Sequence, residues 1–228
     1  MNVWEWFADP ANWTGPSGVW ARMLQQIVLT FVAVGIAAAI ALPAGVAAGH
    51  ARRFGGLVTS VANLGRAIPT FALLLLFASI SAIGVGTTAA VLALILFAIP
   101  PIITNAYVGV RTVEDRVRSA AIAMGMASSQ LLRGIELPLA VPLIFAGLRT
   151  AFVQTAATAT LAAFVGGGGL GRFIIDGFAL QDRTMVLAGV ILVAVLTMSA
   201  EVTLAVVQRL LDPAATGRLG RLSVRVGE

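Results

Sequence analysis

Long apolar stretches separated by short polar segments dominate the chain. A helix of about 20 apolar residues is long enough to cross a bilayer, and the pattern predicts five such spans within one transmembrane domain over residues 23–209. The predicted spans are 23–49, 57–82, 87–110, 140–165 and 184–208. A polar insert, 111–139, separates the third span from the fourth, and 1–22 and 210–228 form the ends. The sequence therefore predicts an all-α membrane protein with five transmembrane helices.

Composition agrees with this fold class and narrows the chemistry. Of the 228 residues, 59% are hydrophobic and only 11% are charged, which is typical of an integral membrane protein. Cysteine is absent, which excludes disulfides and thiolate metal sites. All 15 basic residues are arginine, and a phosphate-binding P-loop needs a lysine. We therefore expect any ATP hydrolysis to occur in a different chain.

The polar inventory predicts no catalytic residue, no cofactor and no metal site. His50 is the only histidine, and no paired carboxylate lies near it in the sequence. Catalysis by a serine or threonine would need a base with a partner, and the spans contain no such arrangement. We interpret His50 as a polar residue at the inner membrane interface.

The distribution of arginine predicts the orientation in the membrane. Because cytoplasmic loops carry an excess of Arg and Lys, ten arginines on one side against three on the other place the insert and the C-terminus in the cytoplasm and the N-terminus outside. The ten are Arg52, Arg53, Arg111, Arg116, Arg118, Arg133, Arg209, Arg218, Arg221 and Arg225. The net charge of +5 therefore reflects membrane topology, and no nucleic-acid partner is predicted.

Two features are expected on the outer side. The first is an aromatic belt with no core role, formed by the tryptophans before the first span: Trp4, Trp6, Trp13 and Trp20. The second is a glycine-rich turn over 166–171, followed by a short surface helix over 172–178. The glycines match a dinucleotide-binding pattern only formally, because no strand precedes them.

The insert has the pattern of two short helices. Apolar residues recur at helical spacing and form one stripe: Val113, Val117, Ala120, Ala121 and Met124. Gly125 can end that helix in the left-handed conformation, and Ser128 or Ser129 can cap the next one. Glu114 and Arg118 have the spacing of a helical ion pair. An apolar stripe outside the bilayer predicts docking on another protein.

Polar residues and prolines within the spans suggest where a solute could pass. Prolines kink helices, and broken helices are tolerated where they line a cavity. The prolines indicate either a path near 66–71 or kinks that serve helix packing alone. The candidate pathway or intramembrane polar residues are Arg66, Pro69, Tyr107, Arg149 and Glu201. Arg149 and Glu201 are expected at similar depth, where they can form an ion pair.

The insert resembles the cytoplasmic signature of ABC importer permeases, which has the form Glu-Ala-Ala, three residues, Gly, nine residues, Ile-x-Leu-Pro. The matching residues are Ala120, Ala121, Gly125, Ile135, Leu137 and Pro138, and Ser119 replaces the usual glutamate. Further segments, 66–77, 99–110, 137–151 and 159–171, resemble the osmoprotectant branch of these permeases. The resemblance implies the type I ABC importer permease fold with a cytoplasmic coupling-helix insert.

The resemblance also implies partners and substrates. A second permease copy or a paralogous permease would complete the path in the lipid membrane. Cytoplasmic ATP-binding subunits would bind the insert at Ser119, Ala120, Ala121, Gly125, Ile135, Leu137 and Pro138. An extracytoplasmic binding protein would deliver glycine betaine, choline or carnitine. Alternatives are a permease for methionine or another amino acid and, from a different class, an ATP-independent channel or a structural membrane subunit. If the insert docks as implied, Ala121→Asp or Gly125→Asp should abolish transport and leave the protein in the membrane.

Overall fold

The computed structural model describes residues 2–211, and the side chains of Arg66 and Leu211 lie outside that description. Most of the predicted tail 210–228 also falls outside it, with Arg218, Arg221 and Arg225. All regular structure within the described range is helical, as predicted. The α-helices are α1 (Val3–Ala8), α2 (Val19–Ala51), α3 (Gly55–Ala67), α4 (Thr70–Ser79), α5 (Thr87–Arg111), α6 (Asp115–Ala123), α7 (Ser128–Leu131), α8 (Leu137–Thr158), α9 (Gly171–Ala179) and α10 (Arg183–Leu211).

Four helices in the described range are long and apolar enough to cross a membrane. They are α2, α5, a continuous helical run over Ser128–Val165 that contains α7 and α8, and α10. The helix that contains the predicted fourth span therefore begins before residue 140, because the second arm of the insert continues into α8 without a break.

The predicted span 57–82 is two helices, α3 and α4, which meet at an angle of 80°. Ile68 and Pro69 are extended between them, with ψ near 120° at both residues. The reason is local: proline has no N–H to donate and disfavours helical geometry in the residue before it. The number of candidate spans is five if this bent pair counts as one crossing.

Contacts between helices give their relative direction. Gly45 and Gly49 of α2 lie against Ala106 and Val110 of α5, so these two helices run parallel. We call the end where α2 stops at Ala51 the insert end, and the opposite end the far end. The chain must return between two parallel helices, and it does so along α3 and α4, because Gly55 lies at Tyr107 and Gly65 at Pro100.

The core between α2, α5 and α8 is built from small side chains. Fully buried alanines from all three helices meet there, among them Ala33, Ala37, Ala98 and Ala151. A Cβ on Gly147 of α8 would lie 2.5 Å from the Cβ of Asn105 on α5. Small residues let helices approach closely, as is common in membrane bundles.

The N-terminal segment corrects one prediction. Trp6 is only 4% exposed and packs with Val19, Leu170 and Phe173 in a core cluster at the far end. Trp4 and Trp20, by contrast, are exposed. The expectation that none of the tryptophans has a core role is wrong for Trp6, because α1 lies against α10 and presents one face inward.

Candidate functional site: the insert and its contacts with the helix bundle

The turn of the insert has the geometry that the sequence predicts. Gly125 has φ +84°, and the amide of Met126 donates to the carbonyl of Ala121 at 3.1 Å. The amide of Gly125 donates to the carbonyl of Ile122 at 2.9 Å. These two bonds are a Schellman motif, which satisfies carbonyl groups at the end of α6. The left-handed stop at Gly125 is confirmed.

The start of α7 differs from the prediction. Its N-cap is Ala127, whose amide donates to Oε1 of Gln130 at 2.8 Å. Ser128 is already helical, and its hydroxyl lies 2.7 Å from Nε2 of His50. The prediction of a serine cap is therefore wrong, because Ser128 has a tertiary partner and Gln130 satisfies the helix start.

The predicted apolar stripe of the insert is not one exposed face. Val113 and Ala121 are buried against the rest of the chain, at 7% and 1% exposure. Ser119 and Ala120 are exposed, and so are Val117 and Met124. Ser119 and Ala120 are therefore accessible to a partner, whereas Ala121 is covered by other residues of this chain.

The second half of the signature forms an unusual helical turn. Residues Leu132–Glu136 are π-helical, and the amide of Leu137 donates to the carbonyl of Leu132. Pro138 follows directly and has no N–H to offer, so the regular ladder is interrupted here. Ile135 and Leu137 are half-buried, and Pro138 is exposed. Isolated π turns often occur at functional sites.

A buried charged cluster lies inside the insert end. Glu136 is fully buried, and its Oε1 accepts from Nη1 of Arg118 at 2.6 Å. Its Oε2 contacts Nδ1 of His50. Nη1 of Arg118 also lies 3.2 Å from the carbonyl oxygen of His50. We call His50, Arg118 and Glu136 the insert clamp.

Arg52 attaches the insert at a second point. This residue ends α2 in the left-handed conformation, with φ 53°, pairs with Asp115 and donates through Nη2 to the carbonyl of Val113 at 3.0 Å. Burial lowers the pKa of Arg52, and the charges of Arg111 and Arg118 lower it further, whereas Glu136 opposes them. The acidic side chains therefore hold together a strongly positive region.

Sequence reasoning missed the insert clamp. It predicted a pair between Glu114 and Arg118, but the guanidinium of Arg118 binds Glu136 and not Glu114. It treated His50 as a simple interfacial residue. One signal was available: Glu136 is an isolated acid inside the apolar run Ile135–Leu139, where a charge needs a partner.

The predicted ion pair between the last two long helices is present. Nε of Arg149 donates to Oε2 of Glu201 at 3.1 Å, and the second guanidinium contact reaches Oε1. Nη1 of Arg149 also donates to Oε1 of Gln208 at 2.8 Å. The contact joins α8 to α10, which also packs against α9 and α1.

We expect Arg149→Glu and Glu201→Arg, made singly, to lower the amount of protein in the membrane, because each places two like charges together within the helices. The double exchange restores opposite charges and should recover most of the lost protein. Quantitative blotting of membrane fractions measures this. A double variant that is no better than the single ones would show that the pair does not hold α10 in place.

The remaining predicted pathway residues do not converge on one point. Pro69 is exposed at the break between α3 and α4. The hydroxyl of Tyr107 lies close to Gly55 at the insert end, and the side chain of Arg66 lies outside the described residues. A cavity of about 380 Å³ lies between α3, α5 and α8, lined by Gly65, Phe97, Pro100, Pro101, Thr150, Gln154, Ala157 and Thr158.

The polar wall of this cavity was also missed from the sequence. Thr150, Gln154 and Thr158 follow one another at intervals of four residues along α8. That spacing puts all three on one face of a helix. The signal was present in the sequence as a polar row in an otherwise apolar span.

The glycine-rich turn at the far end is fixed by glutamines of α2. The buried Gln26 donates through Nε2 to the carbonyl of Ala156 at 2.9 Å and accepts from the amide of Leu170 at 2.8 Å. Gly166, Gly168 and Gly169 all have positive φ. The predicted turn and following helix are present, and α9 begins at Gly171. The expectation of a surface helix is wrong for one face of α9, because Phe173 enters the core cluster at the far end.

Comparison with known proteins agrees with this geometry. Residues 40–217 match the family model described as binding-protein-dependent transport system inner membrane component. The chain is 38% identical over 206 residues to the carnitine transport permease protein OpuCD of Listeria monocytogenes (serotype 1/2a, strain 10403S), a match that covers 90% of this chain and 92% of that protein. It is 33% identical over 189 residues to the glycine betaine/carnitine/choline transport system permease protein OpuCB of Bacillus subtilis (strain 168), covering 83% and 86%.

A solved structure shows the same fold. An inward-facing conformation of the MetNI methionine ABC transporter superposes with a TM-score of 0.73 at 22% identity, covering 85% of this chain and 96% of that chain. The helical bundle, the match over most of the chain and the similarity to transport permeases lead to one assignment. This chain belongs to the family of binding-protein-dependent transport system inner membrane components and is a permease subunit of an ABC importer.

Proposed function

We propose that this permease imports quaternary ammonium osmoprotectants, namely glycine betaine, choline or carnitine. The observation that carries the proposal is the identity of 33–38% over most of the chain to permeases named for these solutes. The methionine alternative draws only on the MetNI structure, and 22% identity speaks for the fold alone. Quaternary ammonium groups bind aromatic cages, but the chain has a single tyrosine, and its four tryptophans all precede the predicted spans. Selectivity then resides mainly in a separate extracytoplasmic binding protein.

The insert end is the cytoplasmic side in this proposal, and a separate ATP-binding subunit docks there. Support comes from the excess of arginine at this end and from the exposed small residues Ser119 and Ala120. The lack of lysine excludes a P-loop in this chain. Hydrolysis of ATP therefore belongs to the docked subunit, and this chain transmits its movement.

A second permease, either another copy or a paralogue, faces this one across the path. The cavity beside Pro100 offers the polar row Thr150, Gln154 and Thr158 to such a path. These hydroxyl and amide groups carry no charge, and they can replace the water molecules around a solute. Such a lining suits a zwitterion or a cation.

The test is uptake into proteoliposomes that contain the permease, its ATP-binding subunit and the binding protein. Radiolabelled glycine betaine, choline and carnitine are supplied with and without ATP inside, and methionine is the control solute. We expect ATP-dependent accumulation of at least one of the three and none of methionine. Accumulation of methionine would indicate that the chain is a permease for amino acids. Solute flux without ATP would indicate a channel.

A further inference from the structure

The insert clamp connects three parts of the chain that are far apart in sequence. His50 belongs to the last turn of α2, Arg118 to α6 and Glu136 to the π turn before α8. Both arms of the insert are therefore attached to the same point on α2. Arg52 adds its own contacts with Val113 and Asp115 at the start of the first arm.

Burial makes these contacts hard to break separately. Glu136 is fully buried, so water cannot replace a partner that moves away. Removing one partner from a buried ion pair leaves an uncompensated charge, which is far more costly than losing a pair at the surface. Sliding of the insert relative to α2 would leave the pair of Arg118 and Glu136 intact, but it would take the fully buried Glu136 away from Nδ1 of His50 and Arg118 away from the carbonyl of His50.

The rest of the interface has the same character. Gly45 and Gly49 bring the backbone of α2 against α5, where a Cβ would lie 2.7 Å and 2.8 Å from carbonyl oxygens of α5. Such closely packed helices move together, because their contacts have no room to slip. A displacement of the insert is thus passed through the insert clamp to α2 and from α2 to α5.

We infer that His50, Arg118 and Glu136 are positioning residues that lock the coupling insert to the end of the first long helix, so that insert and helix move as one rigid body during transport. The inference rests on the proposed docking of an ATP-binding subunit at the insert. According to this inference, the insert does not move relative to α2 during transport. The conformational change then occurs between the rigid body that contains the insert and α2 and other parts of the transporter.

Distance measurement between spin labels tests the rigid connection directly. Arg53→Cys and Arg133→Cys place labels on exposed residues beside α2 and in the π turn, and the chain has no other cysteine. Labelled chain is diluted with unlabelled chain, so that a complex that carries labels carries them in only one copy in most cases. We expect the same distance distribution with and without ATP, whereas a distribution that shifts with ATP would overturn the inference. Complexes with both copies labelled only at Arg133 serve as the control for movement, and their inter-copy distance is expected to change.

Removing the buried charge gives the second test. Glu136→Gln in the labelled background should broaden the distance distribution and lower the solute transported per ATP hydrolysed by at least about tenfold, because the half-buried Arg118 and His50 lose the charge of their buried acceptor. Ser128→Ala removes only an exposed hydrogen bond of His50 and should change neither quantity. If Glu136→Gln fails to reach the membrane, His50→Gln takes its place. A Glu136→Gln or His50→Gln complex with an unchanged distribution and an unchanged transport ratio would also overturn the inference.

The two proposals fail in different ways. A wild-type complex without ATP-dependent uptake contradicts the proposed function. A wild-type complex that transports, but whose distance between residues 53 and 133 changes with ATP, contradicts only the rigid connection.

Discussion

Ala120→Trp is expected to abolish ATP-dependent uptake while the permease still folds. Ala120 is exposed on α6, whereas the adjacent Ala121 is buried. An indole at position 120 projects into the space that the proposed ATP-binding subunit needs. Overpacking of a close interface costs about 1–3 kcal/mol, which lowers affinity by up to about a hundredfold. Co-purification of the ATP-binding subunit and uptake into proteoliposomes measure the loss.

The matched control is Ala120→Ser, which is close to alanine in size and should transport normally. Equal thermal unfolding of the two variants without the partner would show that neither disturbs the bundle. Ala121→Asp is a poorer probe than the sequence suggests, because it places an unpaired carboxylate in a buried position. Full uptake by Ala120→Trp would locate the docking surface elsewhere.

Gln26→Leu is expected to destabilise the permease strongly, whereas Gln25→Leu should have little effect. Gln26 is fully buried, and leucine would leave the amide of Leu170 without its acceptor and remove the side-chain hydrogen bond to the carbonyl of Ala156. Each buried group left unsatisfied costs about 1–3 kcal/mol. Gln25 also accepts from the glycine-rich turn, at 3.1 Å from the amide of Gly169, but it is exposed and water can replace it.

Thermal unfolding of the purified variants in detergent compares the two. The Gln26 variant should unfold several degrees below the wild type, and the Gln25 variant close to it. Equal midpoints would mean that burial of Gln26 does not anchor the turn, and that another contact, such as the packing of Leu170, holds it.

Several features of the insert could be predicted from residues close together in the sequence. The left-handed stop at Gly125 and the helix after the glycine-rich turn depend on backbone geometry over a few residues, and both predictions are confirmed. The start of α7 is also local, yet the prediction failed there, because Ser128 is engaged by His50 from 78 residues away. A residue with two possible partners cannot be assigned from its neighbours alone.

Two sets of charged residues show when an ion pair can be predicted from the sequence: the pair of Arg149 and Glu201 was predicted, and the insert clamp was not. Two opposite charges at equal depth in adjacent spans have few other possible partners, so the pair of Arg149 and Glu201 could be inferred from the sequence. Arg118 had a local candidate in Glu114 and binds the distant Glu136 instead, since a buried carboxylate needs a cation more than an exposed one does.

By itself the sequence determined the fold class, the apolar spans, the position of the insert and the family resemblance. These follow from the length of the apolar runs and from residue spacing, both of which are properties of the chain in order. Only the tertiary structure decided that Trp6 enters a core, that Ala121 faces inward and that Glu136 joins His50 to Arg118. Each of these features depends on which segments, distant in the sequence, contact each other in the folded chain. Those contacts determine which side chains are buried and which partners they bind.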